Sequence, residues 1–315
     1  MEEDKKNKAN NVISFDTFTQ ELNASSSLGV YDITFPSLNK TYTFKQLTVG
    51  QQRTISKNSA DIENKVAQIE NRLKLLKVLC QDESFDPWSI TYPEFILAMA
   101  QIRDNNFGSE IKFNYTCQNE ECKMTIPITF NIASTISTLE EECTKAAEAK
   151  WEYEEKIGKN DLVFGIKYPN IRDYITITRE FAAMAKKRMK ETGETDMTKL
   201  NFEAENEDTA MAFMYSYIDY IKFNGKLVDM SSIKDMHPLD RMKFFEDNIK
   251  FNLIKFSSYI QEKMNELIEI TKIRAVCPKC HKQHELIVDV DSFFQQLFVL
   301  MLITSRNQYH TNYGY

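Results

Sequence analysis

Two cysteine pairs carry the chemistry of this chain. Cys277-Pro278-Lys279-Cys280 is a tight pair, and Cys117-Gln118-Asn119-Glu120-Glu121-Cys122 is its looser counterpart. Each lies between two strand-like runs: Ile111 to Tyr115 and Thr125 to Phe130 around the first, Thr271 to Val276 and Glu285 to Val290 around the second. A turn that presents two thiolates to one tetrahedral ion is the local form of a zinc knuckle, and two such turns supply the four sulfurs of a closed structural site. The two-residue spacer of the second pair suits a knuckle, and the four-residue spacer of the first is within the accepted range. The long interval from Cys122 to Cys277 is unlike a compact zinc ribbon, so three readings stand. One is a four-thiolate zinc site of Cys117, Cys122, Cys277 and Cys280. Another is a local site of Cys277 and Cys280 with His281 or His284 and a further ligand from elsewhere. The third is ordinary turn thiols. No candidate base accompanies an open ligand position, so the zinc expected here is structural.

The two remaining cysteines stand alone. Cys80 falls on the apolar face of a helix and reads as a small core residue, whereas Cys143, among Glu140, Glu141, Glu142 and Lys145, reads as a half-exposed helix position. Neither has the neighbouring His and cation that activate a thiol.

No GxxxxGK[ST], GxGxxG or HExxH pattern occurs. With 46 acidic residues, chance carboxylate pairs such as Glu154-Glu155 or Glu203 with Glu205 are expected on a solvated face. His237 before Pro238 reads as a helix entry. A non-enzymatic protein without a small-molecule substrate is therefore expected. A net charge of -7 and a pI near 5.4 disfavour nucleic-acid binding. The N-terminus lacks the apolar core of an export signal, and the most apolar run, Phe293 to Thr304, is well short of the ~20 residues of a membrane span. No membrane association is expected, and the cysteines are expected in a reducing cytoplasm, where metal ligation is favoured over disulfides.

The elements that must position the cysteines follow from periodicity. Residues 1–29 are a polar lead. Ile33 to Phe44 alternates around a Pro36-Ser37 turn and predicts a hairpin. Thr48 to Cys80 is helical in period, Asp86-Pro87 breaks it, and Pro93 opens a helix to about Arg103. After the first knuckle, Asn131 to Ser137 reads as a polar link, and Ser137 to Glu140 as a capping box for a helix to about Lys156. Ile166 to Ile177 aligns without gaps on Ile33 to Phe44, matching Pro169 to Pro36 and Ile171 to Leu38. A helical region then runs to about Phe223, interrupted at Thr192-Gly193; His237-Pro238 opens another helix, and the second knuckle closes the unit.

Hairpin, helices, a proline-opened helix and a cysteine hairpin thus recur in one order. The expectation is an α+β fold built as a tandem duplication. Its units are a first lobe at 30–132, a linker helix at 133–160, a second lobe at 161–291, and an apolar helix with a polar-aromatic tail at 292–315. Eight of the thirteen methionines fall between Met184 and Met242, which reads as gap-filling in the second core or as an adaptable partner surface. Leu297, Phe298, Leu300 and Met301 belong to a segment apolar all round, and Tyr309, Tyr313 and Tyr315 to the tail. These are the candidate partner-binding residues.

Phe35-Pro36-Ser37, the Lys45-Gln46-Leu47-Thr48-Val49 helix entry, Ile102-Arg103 with Gly108 soon after, and the Cys117/Cys122 turn occur in succession. That succession resembles the baseplate hub and hub-assembly proteins of T-even-like contractile-tailed bacteriophages, over residues 30–132 and more weakly over 161–291. The four-residue spacer and the second copy depart from a single family unit. The resemblance implies a structural baseplate protein of the hub region that binds other phage tail and baseplate proteins, made in the host cytoplasm and located in the virion tail. It implies no reaction. The alternatives are a transient assembly chaperone absent from the virion, and a zinc-stabilised adaptor or enzyme unrelated to tails.

Overall fold

A computed structural model describes residues 29–55, 62–148, 151–193, 203–270 and 272–287, with isolated positions between 14 and 21. The expected first hairpin forms from β1 (Val30–Phe35) and β2 (Lys40–Lys45), with Ile33 opposite Tyr42 and Phe35 opposite Lys40. Its alternation buries Ile33, Phe35, Tyr42 and Phe44. The chain reverses through a short 3-10 turn at Pro36–Leu38 and Asn39, whose φ of 49° is the left-handed conformation that Asn tolerates. Phe85 then packs among Phe35, Tyr42 and Phe44, with ring centroids 5.2, 4.7 and 5.6 Å away.

Two helices, α1 (Val49–Ile55) and α2 (Ile62–Leu79), lead to α3 (Tyr92–Phe107), the centre of the first core. Thr91 and Glu94 form a capping box at its start, with Pro93 in the first turn, as the sequence predicts for a proline-opened helix. Glu94 is itself buried and also accepts from the backbone N–H and hydroxyl of Ser37 at 2.7 and 2.5 Å. One carboxylate therefore caps α3 and fastens the β1–β2 turn to it.

A cysteine hairpin follows, β3 (Glu110–Thr116) with β4 (Thr125–Asn131), and runs straight into α4 (Ile132–Glu148). Here the structure corrects the sequence reading. The helix begins at Ile132, so there is no polar link at 131–137. Ser137 and Thr138 lie inside the helix, donating to the carbonyls of Ala133 and Ser134 rather than capping it. The stripe Ile132, Ile136, Leu139 and Cys143 sets both its start and its buried face. The predicted linker helix thus ends at Glu148, and Trp151–Ile157 is a strand, β5.

β5 opens a four-stranded antiparallel sheet in the order β5–β6–β7–β8, with β6 at Asn160–Ile166, β7 at Ile218–Phe223 and β8 at Lys226–Leu227. Gly165 of β6 is required by close approach: a Cβ there would lie 2.2 Å from the Tyr220 ring. Between β6 and β7 run α5 (Ile171–Thr192) and α6 (Glu203–Ser216). After β8 come α7 (Ser231–Lys234), α8 (Pro238–Asn248), α9 (Leu253–Ile270) and the second cysteine hairpin, β9 (Lys272–Val276) with β10 (Gln283–Ile287). The helical region expected to reach Phe223 stops at Ser216, because 218–223 joins the sheet.

The gapless match of 166–177 to the first hairpin also fails. Ile166 ends β6, Asn170 caps α5 by accepting from Asp173 N–H, and Ile171 and Ile175 fall one helical turn apart. The first hairpin reverses at Asn39 in a left-handed conformation; the matching position is Arg172, which lies in the first turn of α5. The hairpin that opens the second half is instead β5–β6, turned at Gly158 (φ 66°) and Lys159. The order of hairpin, helices, proline-opened helix and cysteine hairpin does recur, with that hairpin placed earlier.

The fold is α+β around two principal cores. The first gathers β1, β2, α2, α3 and α4; the second lies between the β5–β8 sheet and α6, α8 and α9, around Phe164, Tyr215, Phe245 and Phe256. Helix α5 belongs to both, through Ile171 and Ile175 on one side and Ile177 on the other. Its start is fixed to the first core by Ile171 N–H donating to Ile90 O at 2.8 Å and by stacked Tyr174 and Tyr92, 4.5 Å apart. Met214, Met230 and Met242 are buried and Met211 and Met236 pack against the same cluster, so these methionines fill the second core.

Candidate metal centre

The two cysteine hairpins make the same turn despite their different spacers. In each, the first cysteine's N–H donates to the carbonyl two residues past the second: Cys117 to Met124 at 2.8 Å, Cys277 to Lys282 at 3.0 Å. In each, the residue just past the second cysteine takes a left-handed conformation, Lys123 at φ 42° and His281 at φ 59°. That residue also donates its N–H four residues back, Lys123 to Asn119 and His281 to Cys277. The extra residues of the first spacer bulge out before this shared closing turn.

Both turns deliver their sulfurs to one point. The Sγ atoms of Cys117, Cys122, Cys277 and Cys280 all lie within 4.8 Å of one another. Cys117 and Cys280 are 3.6 Å apart and Cys122 and Cys277 3.7 Å, while all four remain free thiols. A tetrahedral thiolate site with metal–sulfur bonds of about 2.3 Å has sulfur–sulfur edges of about 3.8 Å. The two closest pairs match that edge. With four soft donors and no carboxylate or water-facing position among them, the arrangement suits a closed, borderline-soft divalent ion.

Backbone and side-chain donors surround the sulfurs. The Lys282 N–H holds the Cys280 thiol down, to about 6, and burial pushes Cys117 up to about 12. Neither histidine joins the group of mutually close donor atoms. His281 is exposed on its turn. His284 is buried, with Nε2 3.3 Å from Cys117 Sγ and Nδ1 3.4 Å from the Tyr115 hydroxyl. Tyr115 was not singled out by sequence. The signal available was its place on β3, two residues before Cys117 and hence on the same face.

The hairpin motif residues have structural explanations. The buried Arg103 guanidinium donates to Gly108 O at 2.9 Å and Glu110 O at 3.2 Å, clamping the end of α3 to the start of β3. Gly108, at φ 79°, makes the intervening turn. Leu47 N–H donates to Asn106 Oδ1, bringing the α1 entry to the same corner. Among the described residues, Ile126 and Ile128 are the other buried apolar residues of the cluster around the sulfurs.

The lone cysteines are core groups. Cys143, expected to be half-exposed, is buried on the α4 stripe, and burial raises its thiol. Cys80 lies just past α2, partly buried beside Phe44, and burial likewise raises it. A cavity of about 510 Å³ lies between the two cores, bordered by Ser37, Glu94, Cys143, Trp151, Lys167 and Asp219. Its charged groups are engaged: Glu94 by Ser37 and Thr91, Asp219 by Lys167 and Lys234. The candidate partner residues Leu297, Phe298, Leu300, Met301, Tyr309, Tyr313 and Tyr315 lie outside the described residues. Among the described residues, no helix is long and apolar enough to cross a membrane.

Searches of curated proteins and of solved structures return no match. Comparison with protein families matches residues 30–295 to the family described as T4 bacteriophage base plate protein. The match spans both cores and both cysteine hairpins, and by it this chain belongs to the T4 bacteriophage base plate protein family.

Proposed function

We propose that the protein is a non-enzymatic structural component of the phage tail baseplate, in its hub region, with a body stapled by one Zn2+ on Cys117, Cys122, Cys277 and Cys280. The carrying observation is the meeting of four thiols from two distant hairpins within a chain of the baseplate family. Zinc fits because four thiolates at tetrahedral spacing leave no open position, so the ion's contribution is to folding rather than to a reaction. It closes the chain across 155 residues, between Cys122 and Cys277. The two cores then act as lobes held in fixed relation, a rigid surface for other tail and baseplate proteins. Its partners are proteins, not nucleic acid, membrane or a small substrate. It is made in the host cytoplasm and carried in the virion tail.

Quantitative mass spectrometry of purified particles and of the parent lysate tests the placement. A fixed ratio to other baseplate proteins in the particle is expected. Presence in the lysate alone would make it an assembly factor and overturn the structural role. Elemental analysis of the purified chain tests the staple: about one zinc per chain is expected, and none would remove it.

A further inference from the structure

We propose that His284, held by Tyr115, is the positioning residue of the thiolate site: it donates a hydrogen bond to Cys117 and so latches the second cysteine hairpin onto the first. This rests on the metal reading given above. Four thiolates around one divalent ion leave a net charge of about -2 at a half-buried place, which outer hydrogen-bond donors disperse. Backbone N–H groups reach three of the sulfurs: Asn119 to Cys117, Met124 to Cys122 and Lys282 to Cys280. Those contacts lie within single hairpins and do nothing to join them.

The joining contacts are side-chain ones. The hairpins are separate two-stranded sheets, β3 with β4 and β9 with β10. From the second hairpin, His284 Nε2 reaches Cys117 Sγ of the first at 3.3 Å. Cys117 is also one of the two sulfurs that approach most closely across the hairpins, 3.6 Å from Cys280. Chemistry fixes the tautomer. A thiolate accepts, so Nε2 carries the proton; Nδ1 is then an acceptor, and the Tyr115 hydroxyl, 3.4 Å away, donates to it. The two rings meet edge to face with centroids 5.2 Å apart, which holds the imidazole in that orientation.

The test uses the full chain, with zinc affinity measured by chelator competition and the ligand set read from the Co2+ absorption spectrum. For His284→Ala, zinc affinity is expected to fall about 10- to 100-fold, with the four-thiolate Co2+ bands unmoved. His284→Gln, which keeps an N–H donor, should recover part of the loss. Tyr115→Phe, a mild change, should weaken affinity in the same direction by less. Unchanged affinity in both His284→Ala and Tyr115→Phe would overturn the proposal. So would Co2+ bands that shift on replacing His284, since that makes the histidine a ligand. A parent chain that binds neither Zn2+ nor Co2+ defeats the metal reading itself, an outcome distinct from either.

Discussion

The two cysteine hairpins share a closing turn and differ in what holds them. The first is continuous with the first core. Arg103 clamps its entry, Ile111 is buried with α3, Ile132 N–H donates to Ser109 O at 2.9 Å, and β4 passes directly into α4. Among the described residues, the second, which follows α9, meets the first at the sulfurs, at Ala275 and through His284. Turn geometry is therefore local and was reproduced twice, whereas anchoring to a core is tertiary and is seen, among the described residues, at the first hairpin. A metal clasp fits these contacts: four bonds to an ion would tie the second hairpin to the first where the two meet.

Removing the clasp should separate the hairpins. For the double variant Cys277→Ser with Cys280→Ser, bound metal should fall to near zero. Hydrogen exchange at 272–287 should lose protection, while the α3 core keeps its own. The loss in stability should be several kcal/mol, below the roughly 10–16 kcal/mol of zinc fingers that are unfolded without metal, because two cores remain. Equal loss of protection in both hairpins would erase the asymmetry.

In metal-free protein the thiols should part company with pH. The Lys282 N–H lowers Cys280 from within its own hairpin, a contact that persists when the hairpins part, whereas burial raises Cys117. Since the thiolate is the nucleophile, alkylation at pH 7 should modify Cys280 faster than Cys117 by more than about tenfold. Peptide mapping checks the order.

Arg103→Ala strikes the anchor of the first hairpin and removes the donor from Gly108 O, just past α3, and from Glu110 O, at the start of β3. A loss of about 2–3 kcal/mol is expected in chemical denaturation, reflecting hydrogen bonds from a charged donor. Thr91→Ala, which removes one half of the α3 capping box, should cost about 1 kcal/mol. The smallest effect should come from replacing Glu120 and Glu121 with Ala, both exposed in the first spacer. If the closing turn's backbone alone matters, the variant keeps its metal with a change under about 1 kcal/mol; loss of metal would show that these carboxylates are required.

Much of this was legible in residues. The β1–β2 hairpin was readable because Ile33, Phe35, Tyr42 and Phe44 alternate about a proline turn, and α3 because Thr91, Pro93 and Glu94 spell its start. Where the reading went wrong, a local pattern served two structures. Trp151 to Ile157 carries charge at a density that reads as helix, yet its aromatic residues pack against the second core as a strand. Ile166 to Ile177 matched a hairpin residue by residue, but Asn170 caps a helix there, and Ile171 and Ile175 fall on its buried side. Cys143 was placed by its charged neighbours in sequence, when its neighbours one helical turn away decide its burial.

By itself the sequence determined the candidate ligand types, the two strand–turn–strand units that present them and a succession of residues that resembles a baseplate family. All are contacts of short range, set by spacing and by what each residue's backbone tolerates. Tertiary structure alone decided that thiols 155 and 163 residues apart lie together and that His284 rather than His281 lies against them. Periodicity is silent on such matters. Which distant turns meet depends on how helix α5 and the two cores pack, and packing is a property of the whole chain.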